Sequence, residues 1–258
     1  MKLDLSGRSA LVTGSTAGIG FAAAKALAEC GARVFVNGRD EDRTADAAAR
    51  IEAGAQPVAG DVGTAQGCKA IHAATGPVDI LVNNAGIFAP IDFFDADDDT
   101  WDNHWRINVM SAVRLSRVYA PAMVEKGWGR IVMLGSESAF NIPVEMIHYG
   151  VSKTADVAFA RGLAKRLAGT GVTVNSVLPG PTLSEGLEDM LADRVAESDK
   201  PVEDVAAEFV MENRPTSIIQ RAASVQEVAN LIAYVASPLS SATTGASLRV
   251  DGGVMDTL

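Results

Sequence analysis

The segment His148-Tyr149-Gly150-Val151-Ser152-Lys153 sets a phenol and an ammonium four residues apart, and the hydroxyl of Ser136 lies thirteen residues before the tyrosine. On a helix, side chains at that spacing sit one turn apart on one face. The chemistry open to such a pair is proton transfer. An ordinary tyrosine, with a pKa of about 10, neither gives nor takes a proton readily at neutral pH. An ammonium about 4 Å from a phenol, at an effective dielectric of about 20, favours the phenolate by up to about 4 kcal/mol, or roughly three pKa units. That suffices to make a tyrosine a general acid or base at working pH. Spacing alone decides little, because Tyr and Lys fall four apart on many amphipathic helices. The rest of the chain has to place a reaction beside them.

A second chemical feature lies near the amino terminus, in Thr13-Gly14-Ser15-Thr16-Ala17-Gly18-Ile19-Gly20. The glycines allow a tight turn and a close approach of backbone to a pyrophosphate, whose charge a helix N-terminus stabilises. The spacing is G-x-x-x-G-x-G rather than the commoner G-x-G-x-x-G. Its place, after the first apolar run and before the first helical one, favours a dinucleotide over mere tight packing.

Around these features, short apolar runs alternate with longer amphipathic ones. The runs predict strands at Ala10–Thr13, Arg33–Asn37, Pro57–Ala59, Ile80–Asn83, Arg130–Leu134, Thr173–Leu178 and Ser247–Val250. Helical spacing predicts helices at Ile19–Cys30, Asp42–Ala53, Thr64–Ala74, Asp98–Lys126, His148–Ala168 and Val225–Ala236. Alternation of this kind, with strands apolar throughout, is the pattern of an α/β fold with a parallel sheet covered on both faces. No linker or repeat interrupts it, so residues 1–258 read as one domain. The exception is the helical stretch 184–214, which carries ten acids against three bases. It reads either as a lid over the site or as a solvated helical face.

Composition narrows the partners. A net charge of −10 without basic clusters disfavours nucleic acid and anionic membrane surfaces. Met1-Lys2-Leu3-Asp4-Leu5 has no apolar core of a signal peptide, and no run reaches the about 18 apolar residues of a membrane span. Cys30 and Cys68 read as small packed hydrophobes of a reducing compartment. The expectation is a soluble, cytoplasmic protein. No cluster of ligating residues implies a metal.

The motifs taken together resemble the classical short-chain dehydrogenase/reductase family over essentially the whole chain. The matching elements are TGSTAGIG at 13–20, Asp61-Val62, NNAG at 83–86, Asn108, Ser136, Tyr149-x-x-x-Lys153, Pro179-Gly180 and Val250-Asp251-Gly252-Gly253. The resemblance implies a Rossmann fold, a seven-stranded parallel doubly wound sheet in the order 3-2-1-4-5-6-7, with a dinucleotide across the carboxyl ends of its strands. It implies a tetrad of Asn108, Ser136, Tyr149 and Lys153. In it Tyr149 is the acid/base, and Lys153 lowers the pKa of that tyrosine and holds the nicotinamide ribose. Ser136 holds the substrate oxygen, and Asn108 holds a water that links to the lysine. The cofactor contacts implied are Gly14, Ser15, Gly18, Ile19 and Gly20 in the turn, Arg39, Asp61 and Val62, Asn83, Ala85 and Gly86, Tyr149 and Lys153, and Pro179, Gly180 and Thr182.

At the end of the second strand, NAD-preferring members carry a carboxylate that grips the ribose hydroxyls. Here Gly38 takes that place and Arg39 follows, which favours NADP(H), with NAD(H) as the alternative. Asp40 competes for the ribose, and Ala17 replaces a basic residue that some NADP-dependent members carry in the turn. The resemblance further implies a homotetramer or homodimer built on the helices 98–126 and 148–168 and the last strand. The expected substrate is a small alcohol or carbonyl compound. A 3-oxoacyl group on an acidic carrier protein is disfavoured: the acids of 184–214 would repel it, and Gly127-Trp128 and Gly169-Thr170 stand where carrier reductases tend to have arginines. A dinucleotide-binding sensor or scaffold without catalysis is the reading from a different class, and such proteins usually lose the tyrosine or the lysine. His148 reads as packed rather than substrate-facing, and Trp101, Trp105 and Trp128 read as packing helices or a subunit interface. Glu137 and Glu145 face either the mouth of the site or water.

Overall fold

A computed structural model describes residues 3–51 and 54–257 of the chain. The first half runs β1 (Ser9–Val12), α1 (Gly18–Glu29), β2 (Arg33–Gly38), α2 (Glu41–Ala49), β3 (Gln56–Ala59), α3 (Ala65–Thr75) and β4 (Ile80–Asn83). Then come α4 (Asp98–His104), α5 (Met110–Lys126), β5 (Gly129–Leu134), α6 (Ile147–Arg166) and β6 (Val172–Pro179). The chain closes with β7 (Thr182–Leu183), α7 (Glu185–Ser198), α8 (Val202–Asn213), β8 (Ala223–Ser224), α9 (Val225–Val235) and β9 (Ser247–Val250). Seven strands form one parallel sheet in the order β3-β2-β1-β4-β5-β6-β9, and β7 pairs with β8 in a separate two-stranded ribbon.

Period-two alternation sends successive strand residues into two cores. Ala10, Val12, Val34, Val36, Ile80, Val82 and Val132 face α1, α2 and α9. Leu11, Phe35, Leu81, Ile131, Met133 and Val174 face α3, α5 and α6. This is why the strands read as apolar throughout: each has two buried faces. Strand order reverses between β1 and β4, so the loops after these strands part there and open a crevice at the carboxyl edge. The segments after β5 and β6, which carry Ser136 and Gly180, leave from the same edge.

Three expectations change. The helix expected over Asp98–Lys126 is broken by a π-helical turn at Trp105–Val109 between α4 and α5. The helix expected to reach Ala53 ends at Ala49, and its last two expected residues, Glu52 and Ala53, lie outside the described residues. Gly127-Trp128 and Gly169-Thr170 lie at the amino edge of the sheet, where a side chain on Gly171 would meet the Gly127 carbonyl. Within one chain they do not flank the crevice, so their lack of arginine says nothing about what docks at its mouth.

The two cysteines are unpaired, Cys68 buried and Cys30 partly so. Among the described residues no helix is long and apolar enough to cross a membrane.

Candidate active site

The crevice holds about 690 Å³, within the range of roughly 300–1,000 Å³ usual for small-molecule sites. Its wall includes three of the four tetrad residues, Ser136, Tyr149 and Lys153. Ser136 caps a short 3-10 turn, and its Oγ accepts the Ser138 N–H at 3.1 Å. Tyr149 lies in the first turn of α6, its ring edge-on to Phe88 at 6.2 Å between centroids. One turn on, Lys153 is 4% exposed, and its Nζ sits 5.8 Å from the centroid of the Tyr149 ring. The ammonium donates to the Leu134 carbonyl at 2.8 Å and approaches Asp156 Oδ2 at 3.4 Å. Burial pushes the Asp156 carboxyl up to about 6, with Lys153 pulling the other way.

Asn108 stands behind this wall rather than on it. Its Oδ1 accepts the Ile87 N–H at 2.8 Å, and its Nδ2 donates to Ile87 O at 3.0 Å and to Ser152 Oγ at 2.9 Å. The amide therefore clamps the loop after β4 to the helix that carries Tyr149. The π turn accounts for an asparagine in mid-helix, a local widening often found at functional sites. A Cβ on Gly86 would lie 3.4 Å from Asn108 Oδ1 and 3.5 Å from Lys153 Nζ, so the loop passes close to both.

The other end of the crevice fits a dinucleotide. Gly14 has φ +59°, and a Cβ there would come within 2.9 Å of Ala85 Cα. The turn can close on the loop after β4 only without a side chain. Gly14, Gly18, Ile19, Gly20, Asp61, Val62, Ala85, Gly86, Pro179, Gly180 and Thr182 all line the crevice. Ser15 and Asn83 do not. Ser15 is fully buried, its Oγ bonding Val12 O and Asn37 N, and it braces the turn from beneath. Asn83 points its amide toward Ser116 and Met133, away from the crevice. Its neighbour Asn84 lines the crevice instead, donating to the carbonyls of Thr13 and Gly14.

At the end of β2, Arg39 is joined by Arg43 from the first turn of α2. Asp40, expected to compete for the ribose, instead caps α2 by accepting the Arg43 N–H at 2.8 Å. A Cβ at Gly38 would fall 2.5 Å from Thr16 Cγ2 and 2.6 Å from Thr44 Oγ1, so this turn is packed around the absence of a side chain.

The 184–214 stretch divides its side chains between the crevice and solvent. Leu187, Leu191, Val205 and Ala206 of α7 and α8 form a small core of their own. Leu187, Met190, Phe209, Asn213 and Arg214 line the crevice, while most of the acids face water. Glu185, though exposed, reaches the glycine turn: its Oε2 accepts the Gly18 N–H at 2.6 Å. Helix α1 has no acid in its first turn and no side-chain cap, so a carboxylate from far along the chain occupies its free N–H.

Glu137 and Glu145 both line the crevice. Glu137 is buried against Arg214, with Nε 2.8 Å from Oε1, and burial raises its carboxyl while the guanidinium lowers it. His148 is packed as expected, its ring 4.3 Å from that of His104, and burial depresses its pKa. Trp101 packs edge-on to His148, Trp128 lies under the guanidinia of Arg8 and Arg130, and Trp105 is half exposed. Sequence reasoning missed Arg43, Glu185 and Arg214. The second arginine four residues after Arg39 was the available signal for Arg43; the other two have no local signature.

Residues 8–195 match the family model described as short chain dehydrogenase. The chain is 47% identical to YvaG, an uncharacterized oxidoreductase of Bacillus subtilis strain 168, over 99% of this chain and 98% of that protein. It is 34% identical to the D-beta-hydroxybutyrate dehydrogenase of Cupriavidus necator, over 96% of this chain and 98% of the relative. The solved L-sorbose reductase of Gluconobacter frateurii, complexed with NADPH and L-sorbose, has a TM-score of 0.93 to it at 31% identity, covering 100% of both chains. The chain therefore belongs to the short-chain dehydrogenase family and is an NAD(P)-dependent oxidoreductase.

Two measurements check this geometry. Glu185→Gln removes a negative charge from the glycine turn, and fluorescence titration should find NADPH bound about three- to tenfold more tightly. Unchanged or weaker binding would show that the carboxylate does not compete there. Asp156 keeps its proton in the fold to about pH 6, whereas the unfolded carboxyl releases it near its ordinary value. Its contribution to stability is thus full at low pH and disappears as pH rises through that window. Wild type should lose stability relative to Asp156→Asn between pH 4 and 7, read as the shift between their urea midpoints at each pH; a constant offset would contradict the assignment.

Proposed function

For this short-chain dehydrogenase we propose reversible hydride transfer between NADP(H) and a small alcohol or carbonyl compound, with Tyr149 as the general acid/base. The observation that carries the reading is the convergence of a serine hydroxyl, a phenol and a buried ammonium on one wall of a dinucleotide-sized crevice. Ser136 holds the substrate oxygen by hydrogen bond. Tyr149 gives that oxygen its proton in reduction and takes it in oxidation. Lys153 places its ammonium beside the phenol, 5.8 Å from the ring centroid, where it faces the atom that exchanges the proton. Asn108 fixes the loop and helix that set these distances. A bound nicotinamide supplies or accepts the hydride at the substrate carbon.

Arg39 and Arg43 support NADP(H), since two guanidinia at the end of β2 would hold a 2′-phosphate. The crowded space around Gly38 leaves no room for the carboxylate that NAD-preferring members carry. That L-sorbose reductase was solved with NADPH points the same way. Helices α7 and α8, which line one side of the crevice, carry an excess of exposed acids, and this favours a free small molecule over a group tethered to an acidic carrier protein.

The deciding test is Tyr149→Phe, assayed against a panel of alcohols and carbonyls with NADPH and NADH side by side. Turnover should fall by at least about a thousandfold with NADPH binding nearly unchanged, and wild type should favour NADPH. Activity above about a tenth of wild type would remove Tyr149 from the acid/base role.

A further inference from the structure

The substrate end of the crevice carries an ion pair that hydride transfer does not require. Glu137 directly follows Ser136, lines the crevice and is 3% exposed. Its Oε1 is doubly engaged, taking Arg214 Nε–H at 2.8 Å and Ser138 Oγ–H at 3.2 Å. Its Oε2 is buried with no hydrogen-bond partner among the described residues. Arg214, at the end of α8, donates from Nη1 to the Asn213 carbonyl at 2.8 Å, and the same nitrogen lies 3.8 Å from Glu145 Oε1. Two carboxylates thus share one guanidinium where the substrate must extend from the reacting carbon.

This arrangement discriminates among substrates by charge and by hydrogen-bonding capacity. A hydroxy acid would bring a third carboxylate to one cation. At the guanidinium it would lie beside Glu137 and Glu145, and one cation would then face three negative charges in a buried site, which is unfavourable. A plain ketone or alkanol would leave Glu137 Oε2 without a donor. A neutral polyhydroxylated molecule meets both demands, because its hydroxyls donate to the carboxylate and accept from the guanidinium without disturbing the pair. Its C–H face would pack on Phe88 and Leu187 across the crevice.

Taking the hydride-transfer reading as its basis, we propose that the Glu137–Arg214 pair is the specificity element and that the substrate is a neutral polyol or ketose, not a hydroxy acid or a simple ketone. The test compares kcat/KM with NADP(H) for neutral ketoses and hexitols, for 2- and 3-hydroxy acids, and for a small diketone. It does so in wild type, Glu137→Gln and Glu137→Asp, each checked by thermal melting. Wild type should prefer the polyhydroxylated set over the hydroxy acids. Glu137→Gln should lower the ratio of ketose to diketone kcat/KM by at least about tenfold, mostly through KM, and Glu137→Asp should restore part of it. A wild-type preference for hydroxy acids, or an equal loss for every substrate, would overturn the proposal.

Binding separates this inference from the reaction on which it rests. With NADPH present, Tyr149→Phe should still gain thermal stability from millimolar ketose or hexitol, and Tyr149→Phe/Glu137→Gln should not. If binding depends on Glu137 but nothing is turned over, the specificity element stands and the hydride-transfer reading fails. If polyhydroxylated compounds are neither bound nor turned over, the specificity element fails.

Discussion

The site is organised around a positive charge kept out of water. Lys153 is 4% exposed, and a buried ammonium persists only where oxygen atoms are arranged to receive it. The Leu134 carbonyl, at the end of β5, supplies one, and Asp156, a turn further along α6, supplies the other. Both demands fix where α6 docks on the carboxyl edge of the sheet. Because Tyr149 is on the same helix, docking the lysine docks the phenol. The helix has to come close: a Cβ at Gly150 would fall 2.6 Å from Ile142 Cγ2 and 3.1 Å from the Ser138 carbonyl. Asn108 completes the constraint from the other side by tying Ile87 to Ser152.

The crevice that results is divided electrically. Its cofactor end offers backbone N–H groups and two arginines, a set suited to phosphates. Its other end offers two carboxylates sharing one guanidinium, a set that on the proposed reading suits neutral hydroxyls. Helices α7 and α8 touch both ends, through Glu185 at the glycine turn and Arg214 beside Glu137. The acidic stretch therefore takes part in the site at two points and presents its remaining acids to water.

Much of this was legible along the chain, for a physical reason. A parallel strand buried on both faces is apolar throughout, and a phosphate turn needs glycines at fixed offsets. Both leave local marks, and all seven strands of the main sheet fall where the apolar runs predict them. That Ser136, Tyr149 and Lys153 meet on one wall was legible from their spacing together with the resemblance to a known family. What failed to show was long-range or geometric. A π turn at Trp105–Val109 has the same periodicity as a helix over a few residues, so one long helix was expected. Ser15 and Asn83 belong to the right motifs, but their side chains turn inward to brace the turn and the strand. The contacts Gly18–Glu185 and Glu137–Arg214 join residues far apart in sequence, and no local pattern announces either.

The central claim is that the buried lysine charge makes the neighbouring phenol a working acid/base, and single-turnover kinetics of Lys153→Met at saturating NADPH test it most directly. The account predicts a hydride-transfer rate at least about a hundredfold below wild type in a protein that still melts cooperatively and binds NADPH. A rate within about tenfold of wild type would contradict it, because the phenol would then be acting without the charge around which the site is built.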